Sequence, residues 1–224
     1  MKAIIFDSST LINFALNGLL TEFRELRKLF DGKFLITREI VAEVVDKPLK
    51  IKRFELEALK IKELIMDKVL ELPSSLNVDE NKISKMTTEI MNLANNTFIG
   101  KGNAIHLIDI GESSCLVLSK LLDEKGIKNV LSVDERTTRL LGEKPDNLKS
   151  LLEKRLHTDI EVKEENLKSF SNFKFIRSTE LMYLAYKKGI VKLKNNNVLD
   201  ALLYALKLNG CSISDEEISD MERL

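Results

Sequence analysis

Cysteine is scarce in this chain: Cys115 and Cys211 are the only two, too few and too far apart for a zinc motif. Each lies in an apolar or helical stretch that suits a buried, reduced thiol, so the expected setting is a reducing cytoplasm. Histidine is equally sparse, and His106 and His157 fall into no His-x-x-x-His or Cys/His spacing, so neither is given a role. A surplus of charge is missing too. The 35 Lys and Arg residues balance 35 Asp and Glu, which excludes the global basic field that supplies most non-specific nucleic-acid affinity; any nucleic-acid site must be local. Long hydrophobic runs are absent: the apolar start meets Asp7 too soon for a signal peptide, and no stretch approaches the ~20 residues of a membrane span. The expectation is a soluble protein with no membrane partner. Nor is there a Pro/Gly/Ser-rich hinge, an internal repeat or a low-complexity tract beyond Asn195-Asn196-Asn197. Residues 1–224 therefore read as one domain with insertions. A chain of this length buries roughly 70% of its unfolded surface and needs no disulfide or structural metal. A metal, if bound, serves chemistry.

What is present alternates between short apolar runs and amphipathic stretches. Strands are expected at 3–6, 34–36, 69–72, 130–133 and 173–176, because each is apolar and rich in Ile, Val, Leu or Phe. Helices are expected after Ser8-Ser9-Thr10, after Thr37 until Pro48, over 54–66 and 83–93, from Gly111 to a stop at Gly126, up to Gly142, through Leu181 to Gly189, and over 198–208. The Asn- and Gly-containing stretch 95–103 reads as a long loop. Strands alternating with helices predict an α/β fold, a central parallel sheet of about five strands with helices on both faces. Residues 47–108 form a helical insertion and the charged segment 143–171 a second one.

In such a sheet ligands bind beyond the carboxyl ends of the strands, where strand order reverses. Asp7 immediately follows the first strand and Asp134 the fourth, so both project at that rim. Glu43 lies about one and a half turns into the helix that starts at Thr37, and Glu112 follows Gly111 at a helix start, where unpaired N–H groups favour an anion. Four carboxylates meeting at one rim repel one another unless a cation is present. Hard divalent ions with oxygen ligands, Mg²⁺ or Mn²⁺, meet that need.

Ile4-Ile5-Phe6-Asp7-Ser8-Ser9-Thr10-Leu11-Ile12 resembles the opening of PIN domains. The segments 37–44, 111–118 (in a Gly-Glu form) and 131–139 resemble that family's second, third and fourth acidic segments. The stretches 176–190 and 200–214 are similar to the last elements of its archaeal and bacterial branch. The resemblance touches most of the chain, and it is the order and spacing of the motifs that carry it. Residues 47–108 and 143–171 are longer than in compact PIN domains. It implies a three-layer α/β/α fold and metal-dependent endonucleolytic hydrolysis of single-stranded or structured RNA. Asp7 would be the central ligand, Glu43, Glu112 and Asp134 would complete the acidic site, and Ser9 would hydrogen-bond Asp7 or a metal-bound water. The toxin half of a toxin–antitoxin pair is one form of this function, with RNA, an antitoxin or other protein, and a second copy of the chain as candidate partners.

Each residue also has a plainer reading. Asp7 can simply cap the following helix, Glu43 can be solvated, and Glu112 can be a helix-start anion with Asp109 as its competitor. Glu135 competes with Asp134, and Asp200 suits a capping role near Asn197. Arg136 and Arg139 can meet substrate phosphate or be solvated or ion-paired; the cluster of Lys47, Lys50, Lys52 and Arg53 can touch RNA or merely face water. A catalytically silent PIN-like protein- or RNA-binding module is the alternative function. Hydrolysis of a small phosphoester ranks behind both, because Ser9 stands where such enzymes usually carry a second Asp.

Overall fold

The computed structural model describes residues 1–224. Along the chain, β1 (Lys2–Phe6) leads into α1 (Ser8–Leu16) and α2 (Leu20–Leu29), and β2 (Lys33–Leu35) into α3 (Arg38–Val41), which runs on as a π-helical turn over Ala42–Asp46. Then come α4 (Glu55–Met66), α5 (Glu80–Asn95), β3 (Phe98–Gly100), β4 (Asn103–Ala104), α6 (Ile110–Glu124) and β5 (Lys128–Ser132). The remainder is α7 (Arg136–Glu143), α8 (Pro145–Leu156), β6 (Ile160–Val162), α9 (Glu164–Leu167), β7 (Phe175–Ile176), α10 (Ser178–Lys187), α11 (Val198–Leu208) and α12 (Asp215–Arg223).

Residues 3–6 of β1 are apolar because the strand is central. All four are buried, as a strand covered on both faces requires. The sheet is parallel, in the order β2-β1-β5-β7, flanked by helices in a three-layer α/β arrangement. On one face Phe6 stacks against Phe23 of α2 and Phe34 of β2, each 4.9 Å between ring centroids, with Phe14 of α1 behind Phe23 at 5.5 Å. α6 packs against β1 and β5, with α3 and α5 against it. The chain passes from β1 to β2 on one side and later to β5 on the other, so strand order reverses between β1 and β5, where this architecture makes its crevice.

The sheet has four strands rather than the expected five. The segment 69–72 pairs only through Glu71, whose N–H donates to Phe34 O at 2.8 Å and whose carbonyl accepts from Ile36 N at 3.0 Å. Val69 and Leu70 donate instead to Leu64 O at the end of α4, and Pro73 has no N–H to continue a ladder. Nor is 95–103 a loop. Residues 101 and 102 both have positive φ (51° and 74°), which a two-residue type I′ hairpin turn demands, so β3 and β4 pair across them and β6 adds on the other side of β3. This small antiparallel sheet joins the two insertions. Phe98 and Ile160 both belong to the same hydrophobic core as the parallel strands.

Candidate functional site

Pairing of Phe6 with Ser132 brings the ends of β1 and β5 level, and Asp7 continues the ladder by donating its N–H to Ser132 O at 3.0 Å. Asp7 then caps α1: its Oδ2 accepts from Ser9 N at 3.0 Å and from Ser9 Oγ at 2.6 Å. The plain helix-cap reading therefore holds for one oxygen. The other, Oδ1, is buried and has no hydrogen-bond partner, in a residue only 2% exposed. An ionised oxygen withdrawn from water without a donor is costly. Burial, with the nearby Glu43 charge adding to it, pushes the Asp7 carboxyl up to about 6 against the opposing Ser9 hydrogen bonds.

Glu43 stands on the π-helical turn after α3. Thr37 positions that helix: its Oγ1 accepts from Ile40 N at 3.3 Å and lies 2.7 Å from Ser114 Oγ, which donates to Gly111 O at 2.6 Å. This chain of bonds clamps α3 onto the start of α6. The Glu43 carboxylate rests on the bare Cα of Gly111, where a Cβ would fall 2.6 Å and 2.7 Å from its two oxygens. On its other side Glu43 borders an apolar hollow of about 370 Å³ that includes Ile12, Leu16, Ile51 and Phe54.

Glu112 fills the capping box of α6. Its Oε2 accepts from Asp109 N at 3.0 Å, and its Oε1 accepts from the Thr138 hydroxyl on α7. Burial first, and the Asp7 charge second, raise its pKa to about 8. Asp109, its competitor in the sequence, is exposed and bonded to His106 at 2.7 Å. Asn95, from the first insertion, holds the approach to α6: its Oδ1 accepts from Leu107 N at 2.7 Å and Ile108 N at 3.0 Å, and its Nδ2 donates to Ile108 O at 2.9 Å. Beneath the three acids lies Cys115. Its thiol is pushed up by burial and then by the charges of Asp7, Glu112 and Glu43.

Asp134 lies at the same rim but turns its carboxylate elsewhere. Oδ1 accepts from Ser178 N at 2.7 Å, and Oδ2 accepts from Ser178 Oγ at 2.7 Å and Asn13 Nδ2 at 2.8 Å. It is 1% exposed and tied to Asp7 only indirectly, through its own N–H, which donates to Ser9 Oγ at 3.2 Å. The four acids thus divide: Asp7, Glu43 and Glu112 lie near enough for Asp7 to feel the Glu43 charge and Glu112 the Asp7 charge, while Asp134 pins α10 and α1 to the sheet edge. Asn13, Asn95 and Thr138 are the supporting residues that the sequence pattern did not single out, since a polar residue within an apolar helix or loop carries no periodic signal.

Asp134→Asn separates these roles. The amide would set an NH₂ group against donors and remove the charge behind all three hydrogen bonds, a loss of about 3 kcal/mol, within the range for charge-assisted bonds. The melting temperature is expected to fall by about 6–12 °C, given roughly 2–4 °C per kcal/mol at this size. Thermal melts check this; an unchanged melt with lost metal uptake would make Asp134 a ligand instead.

An all-oxygen donor set suits a hard divalent ion. As the side chains stand, no three His, Cys, Asp or Glu residues are close enough to hold one. The openings such an ion would use are Asp7 Oδ1 and the Glu43 carboxylate, neither of which accepts a hydrogen bond, whereas Glu112 would have to exchange a bond to Thr138 or Asp109. Of the basic candidates, Arg136 is exposed and makes no side-chain bond, and Arg139 donates to Ser212 O at 2.9 Å. In the 47–53 cluster, Lys52 pairs with Glu55 at 2.8 Å and Arg53 lies over Phe54. No helix is long and apolar enough to cross a membrane. Compared with protein-family models, with curated proteins and with solved structures, the chain finds no match.

Proposed function

We propose that this protein is a Mg²⁺- or Mn²⁺-dependent endoribonuclease of the PIN type, working at Asp7, Glu43 and Glu112. The observation that carries the reading is the buried, unpartnered Oδ1 of Asp7, in a residue that feels the Glu43 charge and acts on Glu112. Either a proton or a cation completes such an oxygen, and above pH 6 a proton becomes the weaker option. The three carboxylates would hold the ion, drawing together as it cancels their repulsion. When bound, the ion supplies a water activated for in-line attack and charge to offset that on the leaving oxygen. Ser9 fixes one Asp7 oxygen so that the other is left to the ion. Asp134, through Asn13 and Ser178, keeps the strand ends and α1 in register. Arg136 and Arg139 flank the route an RNA strand would take. In this reading RNA is the partner, with an antitoxin as a second if the chain is the toxin of a pair, and the two buried free thiols suit a reducing cytoplasm.

The test is RNA cleavage by the purified chain with Mn²⁺ and with EDTA. Cleavage is expected only with the metal; equal cleavage in EDTA rejects the reading. The silent binding module has its own supporting observation, namely that Asp134 is saturated with donors and no three acids stand within ligating distance. It requires partner binding with neither Mn²⁺ uptake nor turnover, so calorimetry showing Asp7-dependent uptake counts against it.

A further inference from the structure

Between α7, the start of α8, Arg177 and the segment 212–217 lies a polar cleft of about 490 Å³. Four cations line it, Arg136, Arg139, Lys144 and Arg177, against two acids, Glu143 and Glu217. Arg177 is already neutralised by Glu180 and Glu217. The excess therefore rests on the other three, none of which has a salt bridge in the structure. Arg139 is the most exacting of them: half-buried, it has one protein acceptor, Ser212 O, which it shares with Arg177 at 3.1 Å, and its Nε is buried without a partner. Burial, and then the neighbouring Arg177 charge, lower its pKa against the opposing Glu180 and Glu143 charges; the four lining cations still outnumber the two lining acids.

A second hollow, lined by Ser9, Glu135, Arg136, Gly210 and Ser212, shares Arg136 and Ser212 with this cleft. Ser9 is bonded to Asp7, so two adjoining hollows run from the residue that holds Asp7 to the basic cleft in a molecule whose overall charge is zero. We propose that the cleft binds a backbone phosphate of the nucleic-acid strand, one that lies beside the bond cut at Asp7 rather than at it. The inference rests on the nuclease reading and adds where the strand runs and what holds it. The acids repel the polyanion, and a phosphate anchor at the far end of these hollows supplies the attraction that the rest of the surface lacks. Because a phosphate contact carries no base information, it favours strands long enough to reach the cleft and is indifferent to their sequence.

The experiment is anisotropy titration of a labelled single-stranded RNA 12-mer, without metal, over a range of salt, using the full chain carrying Asp7→Asn so that cleavage cannot intervene. Arg136→Ala with Lys144→Ala changes two exposed side chains and spares the fold; Arg139→Lys keeps the charge. The double variant is expected to raise the 12-mer Kd about tenfold and to lower the salt slope by about 1, whatever the base sequence. Arg139→Lys is expected to lose less than Arg139→Ala. A dinucleotide, too short to reach the cleft, should bind both proteins alike. Unchanged 12-mer affinity and slope would overturn the assignment, as would a polyglutamate peptide of equal charge that binds as tightly and shows the same loss. Mn²⁺-dependent cleavage by the parent chain is scored separately, so a failed cleft and a failed metal site give different results.

Discussion

Asp7→Asn is expected to lower Mn²⁺-supported RNA cleavage by at least ~10³-fold while leaving a folded protein that, without metal, is more stable than the parent above pH 6. The two effects have one cause. Asp7 Oδ1 is buried with no donor and near the Glu43 charge, so ionised Asp7 destabilises the metal-free fold. An asparagine keeps the shape and can still accept from Ser9 N and Ser9 Oγ. Its neutral NH₂ group then stands where the parent offered a second negative oxygen, which removes the repulsion from the nearby Glu43 charge. A residue retained in spite of such a cost is the usual mark of a functional group. If the variant cleaves as fast as the parent under matched conditions, Asp7 leaves the mechanism.

The pH dependence follows with its sign. Asp7 is raised from 3.8 to about 6 and Glu112 from 4.5 to about 8, so the folded state binds these protons more tightly than the unfolded chain does. Stability of the metal-free parent is then greatest near the unfolded values and falls as pH rises, through about 6 for Asp7 and about 8 for Glu112. In Asp7→Asn the first loss disappears and the second shrinks, because Asp7 is the leading charge acting on Glu112. Urea melts of both proteins between pH 4.5 and 8.5 measure this directly. Mn²⁺ should flatten the parent's curve and leave the variant's nearly unchanged; parallel curves for the two proteins would contradict the assignment.

The elements that the amino-acid pattern announced are those whose burial is local. Residues 3–6 are buried throughout and 131–133 likewise, so their apolar character survives any detail of packing, and the acids that follow them land at the rim. The failed strand at 69–72 had the right composition, but Pro73 and the return of Val69 and Leu70 to α4 left one residue free to pair. The hairpin at 98–104 was hidden because its turn, Lys101-Gly102, is less telling than Asn-Gly and its partner β6 lies about 60 residues away. α12 went unread although Ser214 and Glu217 form a capping box visible as Ser-x-x-Glu. At the site, sequence position sufficed to bring Asp134 to the correct edge and could not show where its side chain points. That direction is decided by Asn13 and Ser178, 121 and 44 residues distant.

Gly111→Ala should reduce cleavage about 10–100-fold, the range typical when a group orienting a metal site is lost, with a melting temperature within a few degrees of the parent. Position 111 is in α6 with an ordinary helical backbone, so alanine there gains about 0.5–1 kcal/mol of helix propensity. The added Cβ would overlap both oxygens of Glu43. Those oxygens are the far end of a flexible side chain and accept no hydrogen bond, so Glu43 can swing aside at little cost to the fold. What it cannot do is swing aside and still meet Asp7 and Glu112. Stability and activity therefore part company, which a purely structural glycine would not allow. A double-mutant cycle sharpens the point: once Glu43→Ala has removed the carboxylate, adding Gly111→Ala should cost no further activity. Full activity in Gly111→Ala alone would remove Glu43 from the site, and an equal further loss in the double variant would place the effect of Gly111 somewhere other than Glu43.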